Sequence, residues 1–187
     1  MSAALSGGFA DPAIEGAHAF RAALEAMARP GTIRRVAGAA PPAPLSPAAG
    51  VLLLVLCDGT TPLHLAGAWD DGAVRDWVRF HTGAPPAPAG EAAFALGDWP
   101  SLLPLERFRA GTAEYPDRSA TLIVEMGRLA PEGARLTGPG IREAAHLSLP
   151  EPLGPLRENA ARYPLGVDLF LTCGAHLAAL PRSTRIG

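Results

Sequence analysis

The chain contains no lysine: its 16 basic residues are all arginine, set against 18 acidic ones. Without a side-chain amine it cannot form a Schiff base, which excludes aldimine chemistry on pyridoxal phosphate. Nor can it supply the lysine with which a Walker A loop reaches the outer phosphates of a nucleotide. Cysteine is almost as scarce. Cys57 and Cys173 each sit in an apolar stretch, so buried thiols are expected rather than a disulfide or a redox pair, and two are too few for an iron–sulfur cluster. A reducing compartment, the cytoplasm, is the expected location. Long hydrophobic runs are missing too: the longest, VLLLVLC at 51–57, falls far short of the ~20 residues that cross a bilayer. The opening MSAALSGGFADP has no basic region followed by an apolar one, so no secretory signal is expected. A net charge of −2 and scattered arginines leave no basic stripe for nucleic acid. The five histidines, at 18, 64, 81, 146 and 176, lack the spacing of a zinc site, and no G-x-S-x-G elbow is present. GPGIRE (138–143) starts like a dinucleotide fingerprint, but Glu143 holds its sixth position and a proline its tight turn. Neither a metal nor a cofactor is expected.

What the chain does have is the punctuation of a layered α/β domain. Its 187 residues, 48% hydrophobic and 18% charged, suit one domain, 1–187, with a core of its own. DPAIEGAHAFRAALEAMARPG (11–31) predicts a helix with Asp11 as N-cap and Pro12 at the first helical position, closed by Pro30 and Gly31. In it Ile14, Ala17, Phe20, Leu24 and Met27 recur at helical spacing and make one apolar face. Ser46 and Pro47 repeat the cap-plus-proline signal before a second, largely buried helix ending near Cys57. Asp70 or Asp71 caps a third, GAVRDWVRFHT, with Gly83 where left-handed backbone ends a helix. Strands are predicted at TIRRV (32–36), LHLAG (63–67), around AAFAL, at ATLIVEM (120–126), and at RLTGPGI (135–141) entering a tight turn, with AAHLSL as its partner. Short helices are predicted near WPSLLPLERF and at PLRENAARY, and GVDLFLTCG (166–174) with AHLAALP (175–181) makes a terminal hairpin. Helices alternating with buried apolar strands, together with antiparallel pairs, predict an α/β fold with a mixed sheet.

Three places carry chemistry. In RFHTGAP (79–85), Arg79, His81 and Thr82 end the third helix. Positive side chains there offset the helix dipole, worth roughly 0.3–1 kcal/mol when exposed. The same side chains, though not their backbone amides, suit an anionic ligand in a cleft. In RLTGPGI, Arg135 and Thr137 flank Gly138-Pro139-Gly140, which reads either as ordinary tight-turn chemistry or as an anion-binding nest. Asp168 opens the apolar strand VDLFLTC, where an unpaired charge is costly to bury. It is exposed, paired with a cation such as Arg182, or used in a site.

FRAALEAMARPGTI, RFHTGAP, RLTGPGI, YPLGVDLFLTCG and LPRST, in that order from Phe20 to Thr184, resemble the H-subunit family of the bacterial carbon–phosphorus lyase system for phosphonate breakdown. The resemblance implies a fold similar to the large domain of aspartate-aminotransferase-like enzymes. It also implies a homodimer in isolation and membership of a core complex with the G, I and J subunits. That complex displaces adenine from ATP with an alkylphosphonate, giving a ribose 1-alkylphosphonate 5-triphosphate. Its active sites are attributed mainly to the I and J subunits, so the resemblance implies no independent catalytic activity for this chain, and the leading expectation is an accessory subunit that stabilises the complex and helps bind anionic phosphonate or nucleotide ligands. The alternative is a catalytic or substrate-binding domain in which His81 serves as acid or base while Arg79 and Arg135 hold a phosphate or phosphonate.

Overall fold

Strand β7 (Asp168–Cys173) is an apolar run buried at its four central positions, and the molecule is layered on its two faces. The computed structural model, which describes residues 6–187, sets β7 parallel to β4 (Thr121–Glu125). Next come β3 (Phe94–Asp98) and the short β2 (Leu63–Leu65), also parallel. On the other side β8 (His176–Leu180) folds back antiparallel, and β1 (Arg34–Arg35) closes that edge. Among the described residues the main sheet therefore runs β1-β8-β7-β4-β3-β2, the mixed sheet that the buried runs predict. A smaller antiparallel sheet, β6-β5-β9, comprises β5 (Ala134–Thr137), β6 (Ala145–Leu147) and β9 (Arg185–Ile186).

Side chains alternate across the main sheet. Phe170, Ile123, Leu96 and Leu63 face α1 (Pro12–Ala28), α2 (Pro47–Leu56) and α3 (Gly72–His81). Leu169, Leu171, Leu122 and Val124 face the other way. There they meet α4 (Trp99–Leu102), α5 (Gly154–Ala161) and the inner side of the small sheet through Leu136 and Leu147. The helix starts follow the predicted caps: Asp11 accepts from the Ile14 amide at 3.2 Å, Ser46 from Ala49 at 3.2 Å and Asp71, rather than Asp70, from Ala73 at 2.8 Å. Each such cap stabilises by about 1 kcal/mol.

Most of the predicted apolar face of α1 points away from the core, although Met27 packs partly against it. Ile14, Phe20 and Leu24 are 57%, 45% and 55% exposed, while Ala19, Ala23 and Ala26 are buried against α2 and β8. Close approach of the helix to the sheet selects the small residues and turns the large ones outward. At the far edge, the segment 83–88 forms a strap on β2: the Leu63 amide donates to Pro85 O and the Ala87 amide to Leu63 O, both at 2.9 Å. At the end of α1 the two Pro-Gly motifs meet, because a Cβ on Gly140 would stand 2.0 Å from the Ala28 carbonyl oxygen.

Candidate functional site

Helix α3, strand β2 and the strap enclose an open cleft of about 810 Å³. Leu63, Leu65 and Val78 make it apolar inside, and Pro85, Pro86 and Pro88 form its far wall. Its cations differ in their company. Arg75 is neutralised by Asp70 through two 2.7 Å contacts, and this pairing holds the Asp70 carboxyl below its ordinary value. Arg79, by contrast, has no ion pair or side-chain hydrogen bond among the described residues. On the strand side, His64 Nδ1 lies 3.0 Å from Ala87 O, and its Nε2 lies 2.7 Å from an Arg107 guanidinium nitrogen. A carbonyl only accepts and a guanidinium only donates, so Nδ1 donates to Ala87 O and Nε2 accepts from Arg107. Arg107 is half-buried, lies 5.2 Å from the Phe108 ring centroid and meets no carboxylate among the described residues. Arg107 is bonded to His64, which lines the cleft, but does not line it itself.

The structure separates the residues singled out in the sequence. Of RFHT, Arg79 lines the cleft. His81 instead clasps the N-terminal segment: its Nε2 lies 3.3 Å from Ser6 O, which also accepts from Trp77 Nε1 at 3.1 Å. Thr82 closes the helix, donating to Val78 O at 2.8 Å and accepting from the Ala84 amide at 3.1 Å. Arg135 and Thr137 lie on β5, outside the cleft. The Gly138–Gly140 turn, closed by an Ile141 amide to Gly138 O bond of 3.2 Å, is packed against the end of α1, as tight-turn chemistry requires. Asp168 meets Arg182 in a two-pronged pair, Oδ1 to Nε at 3.2 Å and Oδ2 to an NH2 nitrogen at 2.7 Å. His64 and Arg107 escaped notice because they stand 43 positions apart and are brought together only by the fold.

The carboxyl ends of the parallel strands, where open α/β sheets hold ligands at a reversal of strand order, are occupied here by architecture. The order β2-β3-β4-β7 advances without reversal. Asp98 at the end of β3 caps α4 through the Ser101 amide at 3.1 Å. Glu125 at the end of β4 accepts from the Ser46 amide at 2.8 Å and the Thr172 hydroxyl at 2.9 Å, tying α2 to two strands. Burial pushes its carboxyl above the ordinary value, and these hydrogen bonds pull partly the other way. The Cys57 thiol, buried at the end of α2, is pushed up to about 12, chiefly by desolvation, so it is an inert packing group. Cys173 is half-buried and free.

Fold and site together define an α/β protein with an arginine-bearing cleft at one sheet edge and structural duties at its strand ends. A family model described as bacterial phosphonate metabolism protein (PhnH) matches residues 7–187, and the chain belongs to that family. It is 41% identical to the alpha-D-ribose 1-methylphosphonate 5-triphosphate synthase subunit PhnH of Rhizobium meliloti (strain 1021), over 97% of this chain and 94% of that one. It is also 35% identical to the putative C-P lyase subunit protein HtxG of Stutzerimonas stutzeri, over 90% of this chain and 84% of the relative. No helix among the described residues is long and apolar enough to cross a membrane.

Proposed function

We propose that this chain is an accessory, noncatalytic subunit of a cytoplasmic carbon–phosphorus lyase core complex. It supports formation of a ribose 1-alkylphosphonate 5-triphosphate from ATP and an alkylphosphonate while bond chemistry proceeds on other subunits. The observation that carries the reading is the outward face of α1, where Ile14, Phe20 and Leu24 are all exposed to solvent on a 17-residue helix. A contiguous apolar stripe of this kind marks a surface that another chain covers. The word subunit in both relatives' names supports it. Homodimerisation in isolation and contact with the G, I and J subunits in the complex belong to the same reading. So does likeness to the large domain of aspartate-aminotransferase-like folds, supported by four adjacent parallel strands with one antiparallel strand, β8, beside them. The test is co-production of Phe20→Glu/Leu24→Glu with the other subunits of the host's complex. The variant is expected to fold with an unchanged melting temperature yet elute apart from them, and triphosphate formation is expected to fall with it. Co-elution as complete as the parent's would remove α1 as the contact surface.

A second reading, an anionic phosphonate or nucleotide ligand in the cleft, is favoured by Arg79, which lines it and has no ion pair among the described residues. Here Arg79→Ala separates the roles. A complex that assembles intact but loses triphosphate formation points to ligand binding, whereas failed assembly makes the helix end architectural.

A further inference from the structure

We propose that the ligand of the cleft is a nucleotide rather than a phosphonate, its base read by the main chain of Leu65 and its phosphates by Arg79. The proposal rests on the second reading above, that the cleft binds an anion, and adds a recognition element to it. Backbone direction supplies that element. Pro62 O accepts from the Ala93 and Phe94 amides, and the Ala66 amide donates to Leu96 O, so the even-numbered positions turn toward β3. The odd positions turn outward, and Leu63 uses its amide on Pro85 O and its carbonyl on the Ala87 amide. Leu65 points the same way, yet neither its N–H nor its C=O has a hydrogen-bond partner among the described residues. The acceptor for the next rung, Ala87 O, is taken by His64 Nδ1 at 3.0 Å. A free donor and a free acceptor from one residue therefore stand together at the cleft that Leu65 lines.

Such a pair matches the edge of a nucleobase. Adenine presents an N6–H donor beside a ring-nitrogen acceptor, which meet the C=O and N–H of one residue at once. A peptide strand fits less well. Ala66 already turns back to β3 and a 3-10 turn starts at Gly67, so the open edge is one residue long. That is too short for the run of main-chain bonds that holds an added strand. Leu65, Val78, Pro85 and Pro86 give apolar walls to a flat ring, and the volume of about 810 Å³ suits a ligand of nucleotide size. Arg79 and Asp76, three residues apart on α3, also line the cleft, and neither is ion-paired among the described residues. Asp76 accepts from ribose hydroxyls while Arg79 donates to phosphate. A small phosphonate would face the Asp76 charge with no hydroxyl to answer it and would leave most of the apolar wall uncovered. The choice of adenine among the bases follows from the ATP-dependent function proposed above.

The experiment titrates the full chain calorimetrically with ATP, inorganic triphosphate and N6,N6-dimethyl-ATP, which has lost the N6–H donor. ATP is expected to bind about tenfold or more tighter than inorganic triphosphate, and the dimethyl analogue about tenfold weaker than ATP. Arg79→Ala is expected to weaken all three. Leu65→Pro removes the N–H at a position where it faces outward, which an edge strand tolerates. It is expected to weaken ATP about tenfold more than Leu65→Ala does, and to leave inorganic triphosphate unchanged. Thermal melts verify folding, and the dimethyl analogue asks the same question of the unaltered chain. Inorganic triphosphate bound through Arg79 as tightly as ATP, or a dimethyl analogue as tight as ATP, overturns the proposal while the anion reading stands. ATP binding that is absent, or indifferent to Arg79→Ala, overturns both.

Discussion

A carboxylate that opens an apolar strand has to be answered, and the answer to Asp168 is Arg182. Their side chains keep 22% and 13% of their exposure. The guanidinium also donates to Pro116 O at 2.7 Å and Gly166 O at 2.9 Å, so it ties the chain after β8 to two loops. Removing Asp168 leaves the mostly buried guanidinium without its counter-charge, and removing Arg182 leaves the carboxylate and two carbonyls without their donor. Asp168→Ala is therefore expected to cost about 3 kcal/mol in urea unfolding, and the Asp168→Ala/Arg182→Ala double variant clearly less than the sum of the singles. Additive losses would show that the pair is not coupled. Glu125 is the opposite case. Its pKa is raised in the folded state by burial, so the native protein binds its proton more tightly than the unfolded chain does. The stabilisation is fully present below the ordinary value of 4.5 and is lost as pH rises through the higher folded value. Glu125→Gln, which keeps an acceptor for the Ser46 amide, is expected to gain stability relative to the parent as pH rises from 4 toward neutrality. A pH-independent difference in urea midpoints would contradict this.

The elements show which parts of the fold could be read beforehand. Caps were legible because they are local: Asp11, Ser46 and Asp71 each hydrogen-bond an amide two or three residues on. Strands β4, β7 and β8 were legible as buried runs, and the β5–β6 pair from the glycines of its turn. Strand β9 was not, because two residues at 185–186 acquire their pairing only from β5. The α1 stripe was legible, its direction was not, since periodicity reports that a helix has an apolar face without saying what covers it. The alternation of alanine and large side chains on α1 gives an asymmetric prediction. Ala23→Leu, on the buried side, is expected to overpack against α2 and β8 and cost about 1–3 kcal/mol. Leu24→Ala, one residue away, is expected to change the stability of the isolated monomer by no more than about 0.5 kcal/mol. Similar losses at the two positions would mean that Leu24 is packed within the monomer after all. Of the candidate site, Arg79 was legible as a side chain projecting from a helix end, but His64, which lines the same cleft, and its partner Arg107 were not, because no local spacing links a strand residue to a 3-10 turn 43 positions later.

At the scale of the whole molecule, the two ends of the main sheet pose the same hazard, since an unpaired strand edge invites another strand. The β2 edge is covered by the strap, and the chemistry of the strap decides whether the hazard is removed or merely moved outward. The Ala87 amide points inward to Leu63 O, so the positions on either side of it, Pro86 and Pro88, face away from β2. Both lack an N–H, so the outer side of the strap offers no donor where a further strand would need one. The proline-rich stretch GAPPAPAG thus acts as an edge stop as well as the far wall of the cleft, and the two roles separate experimentally. Pro86→Val/Pro88→Val restores both outward donors without touching Leu63, Leu65, Val78 or Arg79. The variant is expected to keep the fold and the cleft. Its sedimentation coefficient, unlike the parent's, is expected to rise further with concentration as copies pair along this edge. To isolate the effect, the comparison is made in the Phe20→Glu/Leu24→Glu background, where association through α1 is suppressed. If the valine variant stays as monomeric as its proline parent there, the prolines stiffen the wall of the cleft and do not guard the sheet.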